Sequence, residues 1–349
     1  MDELKLSIII PLFNGKQFIQ KTVEGLLGIK CKKEILIIDD GSNDGSYEYC
    51  YGRWKSNPDI KIFSKKNSGI VDTRNFGIEK AKGKYLLFSD HDDVVYPDVV
   101  DEAVQKAEEK RLDGMIWSTV RLLDGKRIVP CDIVQENYIA FKDEINNVFI
   151  PSMLMNMENK RVSYLGHVWA GIYSRNLIEE KCIRFKRYID IEDDYLFVFD
   201  FLNIASGVGL IDKAGYAWRF NQKSETYRLK YIDNILARYQ EFYSYLERSV
   251  KDNGISDNLL GHFKEYKIQN TVVMAVENSF TYLNQSKDDK NEIKDFYKRN
   301  RSYFKSKSFY NYEKRRKRIY LCLHYGLFGL AGFYIYLDSF YRKIKSNTK

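Results

Sequence analysis

Apolar residues in the first third of the chain come in short unbroken runs, separated by stretches whose apolar positions recur at helical spacing. Residues 6–12 (LSIIIPL) form a β-branched run of the kind buried on both faces of a parallel sheet. In 16–27 the positions Phe18, Ile19, Val23, Leu26 and Leu27 lie on one helical face. Residues 34–38 (EILII) predict a second buried strand running into Asp39-Asp40-Gly41-Ser42, 44–54 a second helix, and 60–63 a third strand. Beyond a loop at 65–71, the spacing predicts a helix over 72–81 that stops at Gly83. A fourth strand, 84–88 (KYLLF), then runs into Ser89-Asp90-His91-Asp92-Asp93. A helix over 98–110 and a strand at 114–120 continue the alternation. The order predicts an open α/β sheet, Rossmann-like and mostly parallel, with ligands beyond the carboxyl ends of its strands. Both acidic clusters fall at such ends.

Periodicity weakens over 121–165, where Asp124-Gly125 suggests a loop or hairpin, and from Tyr227 onward the pattern is almost wholly helical. The division expected is therefore an α/β domain over 1–227, with halves 1–120 and 121–227, followed by an all-α region over 228–349. The net charge of +8 belongs to the second part. Residues 298–349 hold 14 Lys or Arg against 2 Asp or Glu, leaving 42 against 46 in 1–297. A mildly acidic body argues against nucleic acid as partner. The basic tail points to an attachment surface. Five cysteines without CxxC spacing suggest a reducing compartment, and the start MDELK lacks a basic leader, so a cytoplasmic location is expected.

Asp90, Asp92 and Asp93 would repel one another at a buried strand end unless solvent or a divalent cation intervenes. A solvated turn charging the next helix is the competing reading. Asp39-Asp40-Gly41-Ser42 is by itself ordinary turn chemistry. Glu192-Asp193-Asp194 precedes an apolar helix, where carboxylates could serve as caps or as a base.

The segments SIIIPLFNG (7–15), IIDDGSNDGS (37–46) and NSGIVDTRNFGIEKAKGKYLLFSDHDD (67–93), with Pro97-Asp98 after them, resemble glycosyltransferase family 2, the inverting nucleotide-sugar transferases of the GT-A fold. The resemblance covers nearly all of the first 100 residues, weakens over 115–165, returns over 166–226 and then fades. It implies that Pro11 and Asp40 line a nucleotide pocket, with Phe13 and Asn67 in the same donor-binding set, and that Arg74 lies beside the nucleotide. Asp90 and Asp92 match the outer positions of the DxD motif. Asp90 would then face ribose or sugar, and Asp92, with Asp93, would hold Mn²⁺ or Mg²⁺ on the diphosphate. His91 fills the variable position as a spacer. The family's Glu-Asp pair maps onto a run with one acidic residue too many, so the base is Asp194 if the helix is aligned and Asp193 if the pair is. Glu192 and Trp169 fall on the acceptor side, Trp169 either stacking on a sugar or filling the core. Arg219 and Ser224 would approach the diphosphate, with Asn221 where relatives often carry His.

The function implied is metal-dependent, inverting transfer of a sugar from a nucleotide donor, UDP-linked by expectation, to a glycan in cell-surface polysaccharide synthesis. A silent glycan- or nucleotide-binding module on the same fold is the alternative. The lack of a GxGxxG after the first strand argues against a dinucleotide oxidoreductase. In the tail, the apolar stretch 319–337 lies between Arg315-Arg316-Lys317-Arg318 and Arg342-Lys343. That pattern fits a membrane span, a helix lying on an anionic bilayer, or a packed helix pair.

Overall fold

All seven residues of the first apolar run are buried in strand β1 (Leu6–Leu12) at the middle of a large sheet. The computed structural model describes residues 3–123, 127–155, 159–163, 165–187, 193–219, 231–252, 257–281, 287–305 and 314–347. Two units are formed: residues 1–153 with 159–224, and residues 154–158 with 225–349.

In the first unit, β1 is followed by α1 (Ile19–Leu27), β2 (Lys33–Asp39), α2 (Ser46–Trp54), β3 (Ile60–Ser64), α3 (Ile70–Lys80), β4 (Tyr85–Phe88), β5 (Val94–Val95) and α4 (Pro97–Lys110). Next come β6 (Gly114–Leu123), β7 (Arg127–Pro130), β8 (Tyr138–Phe141), α5 (Lys142–Glu144), a π-helical turn Ile145–Phe149 and α6 (Ile150–Met155). The unit ends with β9 (Gly171–Ser174), α7 (Arg175–Glu180), α8 (Asp193–Ile204) and β10 (Gly207–Arg219). The strand order is β3-β2-β1-β4-β9-β6-β10-β5, with β7 on β6 and β8 on β10. Strands β1 to β4 are mutually parallel, as are β6 and β10, and β9 runs antiparallel between β4 and β6. Because β2 lies on one side of β1 and β4 on the other, the order reverses at β1. Crevices form at such a reversal, beyond the carboxyl ends.

Proline inside a central strand needs an explanation, since it donates nothing to a ladder. Alternate residues of β1 face β4, and Ile9 accepts the last of those bonds, from Ser89 N–H at 3.0 Å. Pro11 also faces that side, but β4 pairs only as far as Ile9↔Phe88, so no donor is missed there. The parting of β1 from β4 is what opens the crevice. On the flank of the sheet, Gly77 of α3 lies where a Cβ would come within 2.4 Å of Ile9, so only glycine permits this helix-on-sheet approach.

The second unit contains α9 (Ile235–Asp252), α10 (Asp257–Thr281), α11 (Lys287–Arg299), a 3₁₀ turn Arg301–Phe304, α12 (Lys314–His324) and α13 (Phe328–Asn347). Its core is aromatic: Tyr239, Phe242, Tyr243 and Phe263 at the α9–α10 contact, and Tyr297, Phe304, Tyr320 and Phe328 further on. The apolar stretch 319–337 is not one helix. Gly326, at φ +80°, ends α12, and Leu327 N–H bonds back to Cys322 O at 2.7 Å. Among the described residues no helix is long and apolar enough to cross a membrane.

Candidate active site

The first wall of the crevice is made by turns tied to one another. Asn14 N–H donates to Ser42 Oγ at 2.9 Å and Asn43 N–H to Asn14 Oδ1 at 2.9 Å, so the turns after β1 and β2 are clasped together. Gly41, at φ +72°, makes the second of these turns. The Asp40 carboxylate accepts Ser68 N–H at 2.9 Å, Gly69 N–H at 2.8 Å and the Lys65 ammonium. Its oxygens therefore hold the loop that enters α3. Phe13 stands 48% exposed at the end of β1.

Arg74, on α3, is the hub of the second wall. One terminal nitrogen, Nη1, donates to Asp193 Oδ2 at 3.0 Å and to Asp194 Oδ1, while Nη2 reaches Asp90 Oδ1 at 3.3 Å. The guanidinium lies 5.2 Å from the ring centroid of Phe185, and its side chain is only 6% exposed. Burial opposes its charge, but Asp194, Asp90 and Asp193 outweigh that and lift its pKa above the ordinary arginine value. Asp193 and Asp194 open α8, where the helix N-terminus favours negative charge. Burial nevertheless lifts the Asp194 carboxyl to about 7; Arg74 opposes the rise, Asp193 and Asp90 add to it, and His167 opposes it more weakly. A carboxylate with such a pKa is poised to take a proton near neutrality.

The loop after β4 carries the other acidic cluster. Thr22 of α1 fastens it by donating to the carbonyls of His91 (3.0 Å) and Asp93 (2.8 Å). The His91 ring lies against Gly15, where a Cβ would come within 2.1 Å of it, so this imidazole is a packing piece. Asp93 accepts Tyr216 O–H at 2.7 Å on one oxygen and Arg219 N–H at 2.7 Å on the other. Asp90 N–H in turn donates to the Tyr216 hydroxyl at 3.1 Å. Burial raises the pKa of Asp92, with Asp90 adding to it and His91 and Arg219 opposing; Asp93 is raised well above the ordinary range by burial and by Asp90 and Asp92. Arg219 Nε and Arg74 Nε are buried with no hydrogen-bond partner among the described residues. Asp92 is the carboxylate of this loop that could meet a divalent cation, and the two Nε–H groups are donors of the kind a diphosphate would use. The described residues contain no cluster of three His, Cys, Asp or Glu able to hold a metal unaided.

Three aromatic rings lead from this loop toward the other side of the site. Tyr216 stacks on Trp169 (centroids 4.6 Å, 20°), and Trp169 stacks on His167 (4.4 Å, 11°). Nδ1 of His167 lies 2.7 Å from Asp132 Oδ2, which also accepts Thr119 O–H at 2.8 Å. Trp169 is 7% exposed and sandwiched between its neighbours, whereas the His167 side chain is 34% exposed.

Residues 7–162 match the sequence model of the family described as Glycosyl transferase family 2. This segment of the chain is a family 2 glycosyltransferase segment. Among its relatives, the glycosyltransferase EpsJ of Bacillus subtilis is 26% identical over 296 residues, covering 83% of this chain and 82% of EpsJ. The poly(ribitol-phosphate) beta-N-acetylglucosaminyltransferase TarP of Staphylococcus aureus is 25% identical over 290 residues, covering 81% of this chain and 75% of TarP. A crystal structure of S. aureus TarS in complex with UDP-GlcNAc shares the fold, with a TM-score of 0.66 over 97% of this chain and 92% of that one, at 17% identity.

Seen as a family 2 glycosyltransferase, the enzyme brings Arg74, Asp90, Asp193 and Asp194 into direct contact, and places Asp92, Asp93 and Arg219 along the adjoining loop and strand end. Pro11 lies near the end of β1, and Phe13, Asp40 and Asn67 lie on the turns of the first wall. Trp169 forms the middle of a ring stack. Glu192 and Ser224 lie outside the described residues. Residues not singled out from sequence include Thr22, Lys65, Asp132, Phe185 and the ring positions His167 and Tyr216. The last two sit in segments that carry the family resemblance. Asp132 comes from the stretch with weak periodicity and had no local signal.

Proposed function

We propose that the enzyme transfers a sugar from a UDP-linked donor to a hydroxyl group of a growing cell-surface glycan, with inversion at the anomeric carbon. The observation that carries this reading is the single buried Arg74 joining Asp90 to Asp193 and Asp194. It links the loop expected to face the donor to the carboxylates expected to face the acceptor. Asp194 would take the acceptor proton as the hydroxyl oxygen attacks from the face opposite the nucleotide. One base suffices, since the leaving diphosphate needs charge stabilisation and no protonation. Asp92 would hold Mn²⁺ or Mg²⁺, which supplies Lewis-acid stabilisation of the diphosphate as it departs. Asp93, with both oxygens already accepting, fixes the loop and Tyr216. Arg219 would meet the diphosphate through the side chain whose Nε is unsatisfied.

The UDP donor is supported by the TarS complex, which has this fold, and the surface-glycan acceptor by the likeness to TarP, a poly(ribitol-phosphate) beta-N-acetylglucosaminyltransferase. Attachment to the inner face of the cell membrane through the helical unit belongs to the same reading, with a glycan or lipid-linked glycan acceptor met there. The test is nucleotide release from a panel of UDP-sugars, UDP-GlcNAc first, with Mn²⁺ or Mg²⁺ and with chelator. The reading expects release that chelation abolishes and added metal restores. Release indifferent to chelation would remove the metal from it, and no release from any nucleotide sugar would overturn it.

A further inference from the structure

Helix α13 is apolar on two opposite sides. Phe328, Ala331 and Ile335 face the core of the helical unit, and Gly332 lies against Phe280 of α10, where a Cβ would come within 2.3 Å. That leaves Leu327 (48% exposed), Leu330 (50%), Phe333 (56%), Tyr336 (41%) and Leu337 (47%) facing outward, with Tyr325 (69%) at the preceding turn. Leu330, Phe333 and Leu337, three and four residues apart, make one stripe along the helix, with Leu327 and Tyr336 at its edges. Between this stripe and α12 runs an open groove of about 470 Å³ lined by Leu321, Leu330, Phe333, Tyr334, Leu337 and Arg318. A contiguous apolar surface of this kind on a folded unit marks an interaction face.

The charge around the stripe identifies the occupant. Residues 314–347 contain eight Lys or Arg and one acidic residue, Asp338. Of the basic run, Arg315 and Arg316 turn inward to Glu277, and Arg315 also pairs with Asp338. Lys314, Lys317 and Arg318 are exposed, and Arg318 lines the groove, where it donates to the Tyr334 hydroxyl at 3.2 Å. A second copy of the chain would bring an equally cationic face and be repelled at moderate salt. Since neither α12 nor α13 can cross a bilayer, a flat anionic surface with an apolar interior beneath it matches both the stripe and its rim.

We propose that the α12–α13 face docks on an anionic lipid bilayer, with α13 lying in the plane of the interface, its outer stripe among the acyl chains and Lys314, Lys317 and Arg318 on lipid phosphates. The assignment gives residues to the membrane attachment in the reading above, and it stands on this unit alone. The test is flotation of the full chain with vesicles of phosphatidylcholine, with and without phosphatidylglycerol, at low and high salt. The expected result is flotation only with phosphatidylglycerol, weakened by salt, and reduced at least about tenfold in the variant L330E/F333E, a loss of roughly 1.4 kcal/mol. The substituted positions are exposed, and an unchanged circular dichroism spectrum checks folding. The variant K314E/K317E/R318E, which leaves the apolar stripe intact, should lose the phosphatidylglycerol preference. Wild-type protein that does not float, or flotation unchanged in both variants, overturns the assignment. A dimer on size exclusion that L330E/F333E dissociates, without vesicle binding, overturns it in favour of a self-association face. Nucleotide release from UDP-sugars in solution should be the same in wild type and L330E/F333E, so failure of the catalytic reading is scored separately.

Discussion

Replacing Arg74 by Met keeps an unbranched apolar stem, though a shorter one, and removes the cation shared by Asp90, Asp193 and Asp194. Two unit charges 4 Å apart at an effective dielectric of about 20 attract by roughly 4 kcal/mol. Removing one partner from a buried ion pair costs about 3–5 kcal/mol, because the remaining charge is left uncompensated. At roughly 2–4 °C per kcal/mol for a folded unit of 150–250 residues, a 4 kcal/mol loss lowers Tm by about 8–16 °C. This cost depends on pH. It arises from carboxylates facing one another, and it is largest at pH 8, where Asp194 is ionised. Arg74 opposes the rise that puts the Asp194 pKa at about 7, so without Arg74 that pKa moves higher. As pH falls toward 5 Asp194 takes up a proton, its share of the repulsion disappears, and the variant moves toward wild type. Differential scanning calorimetry at the two pH values, following the transition that UDP shifts, should show a deficit at pH 5 less than half that at pH 8. R74K, which keeps the charge but loses the planar fork, should fall by less and depend less on pH. An equal deficit for R74M at both pH values would refute the electrostatic account and make Arg74 a packing residue.

Two further outcomes concern the base and its surroundings. D194N should lower the turnover number about 10²–10⁴-fold with little change in UDP affinity, while D193N retains the larger share of activity; the opposite ranking would move the base to Asp193. In the wild type, kcat/KM for nucleotide release should rise with pH through about 7, because Asp194 accepts a proton only when ionised, and the rise should be absent in D194N. The groups facing Asp194 are Arg74, Asp193, Asp90 and His167, of which Arg74 and, more weakly, His167 favour its ionised form. H167Q should therefore move the acid limb of that profile to higher pH, with D132N moving it the same way by less; an unmoved limb with lowered Tm would make the ring stack purely structural.

The central strands are legible in sequence because they are buried on both faces, so β1, β2 and β4 appear as unbroken apolar runs. The strands that complete the sheet are not legible. β5 has two residues and β9 four, and their conformation comes from partners far along the chain. Helix starts slip for a similar reason. Asp44 reads as the opening of a helix, yet its oxygens accept Ser46 N–H at 2.9 Å and Lys16 N–H at 3.1 Å, so it serves the turn before α2. The acidic clusters were visible as clusters, but Arg74 and Asp194 lie 120 residues apart, and no local pattern joins them; only the family resemblance put both in one site. Asp40 shows the converse. Its turn was legible, while the work of its carboxylate in holding Ser68 and Gly69 depends on a loop nearly thirty residues later. In the tail, hydropathy ran straight through Gly326, whose positive φ divides what composition alone presents as one segment.

The place of β9 in the sheet has a bearing on how the chain is made. A ribosome extends the chain from its N-terminus, and β1 to β4 can pair among themselves as soon as they emerge. The flank of β4 that faces β9 and the core edge of β6 then wait for residues 171–174, and β5 and β8 wait longer still, for β10. During synthesis the nascent sheet thus carries open edges beside its most apolar strands, the condition under which strands pair with the wrong neighbour. Asp193 and Asp194 emerge between β9 and β10, so the carboxylates reach Arg74 only as the last gaps in the sheet are filled. Assembly of the Arg74 cluster therefore comes late in the life of the nascent chain, next to closure of the sheet.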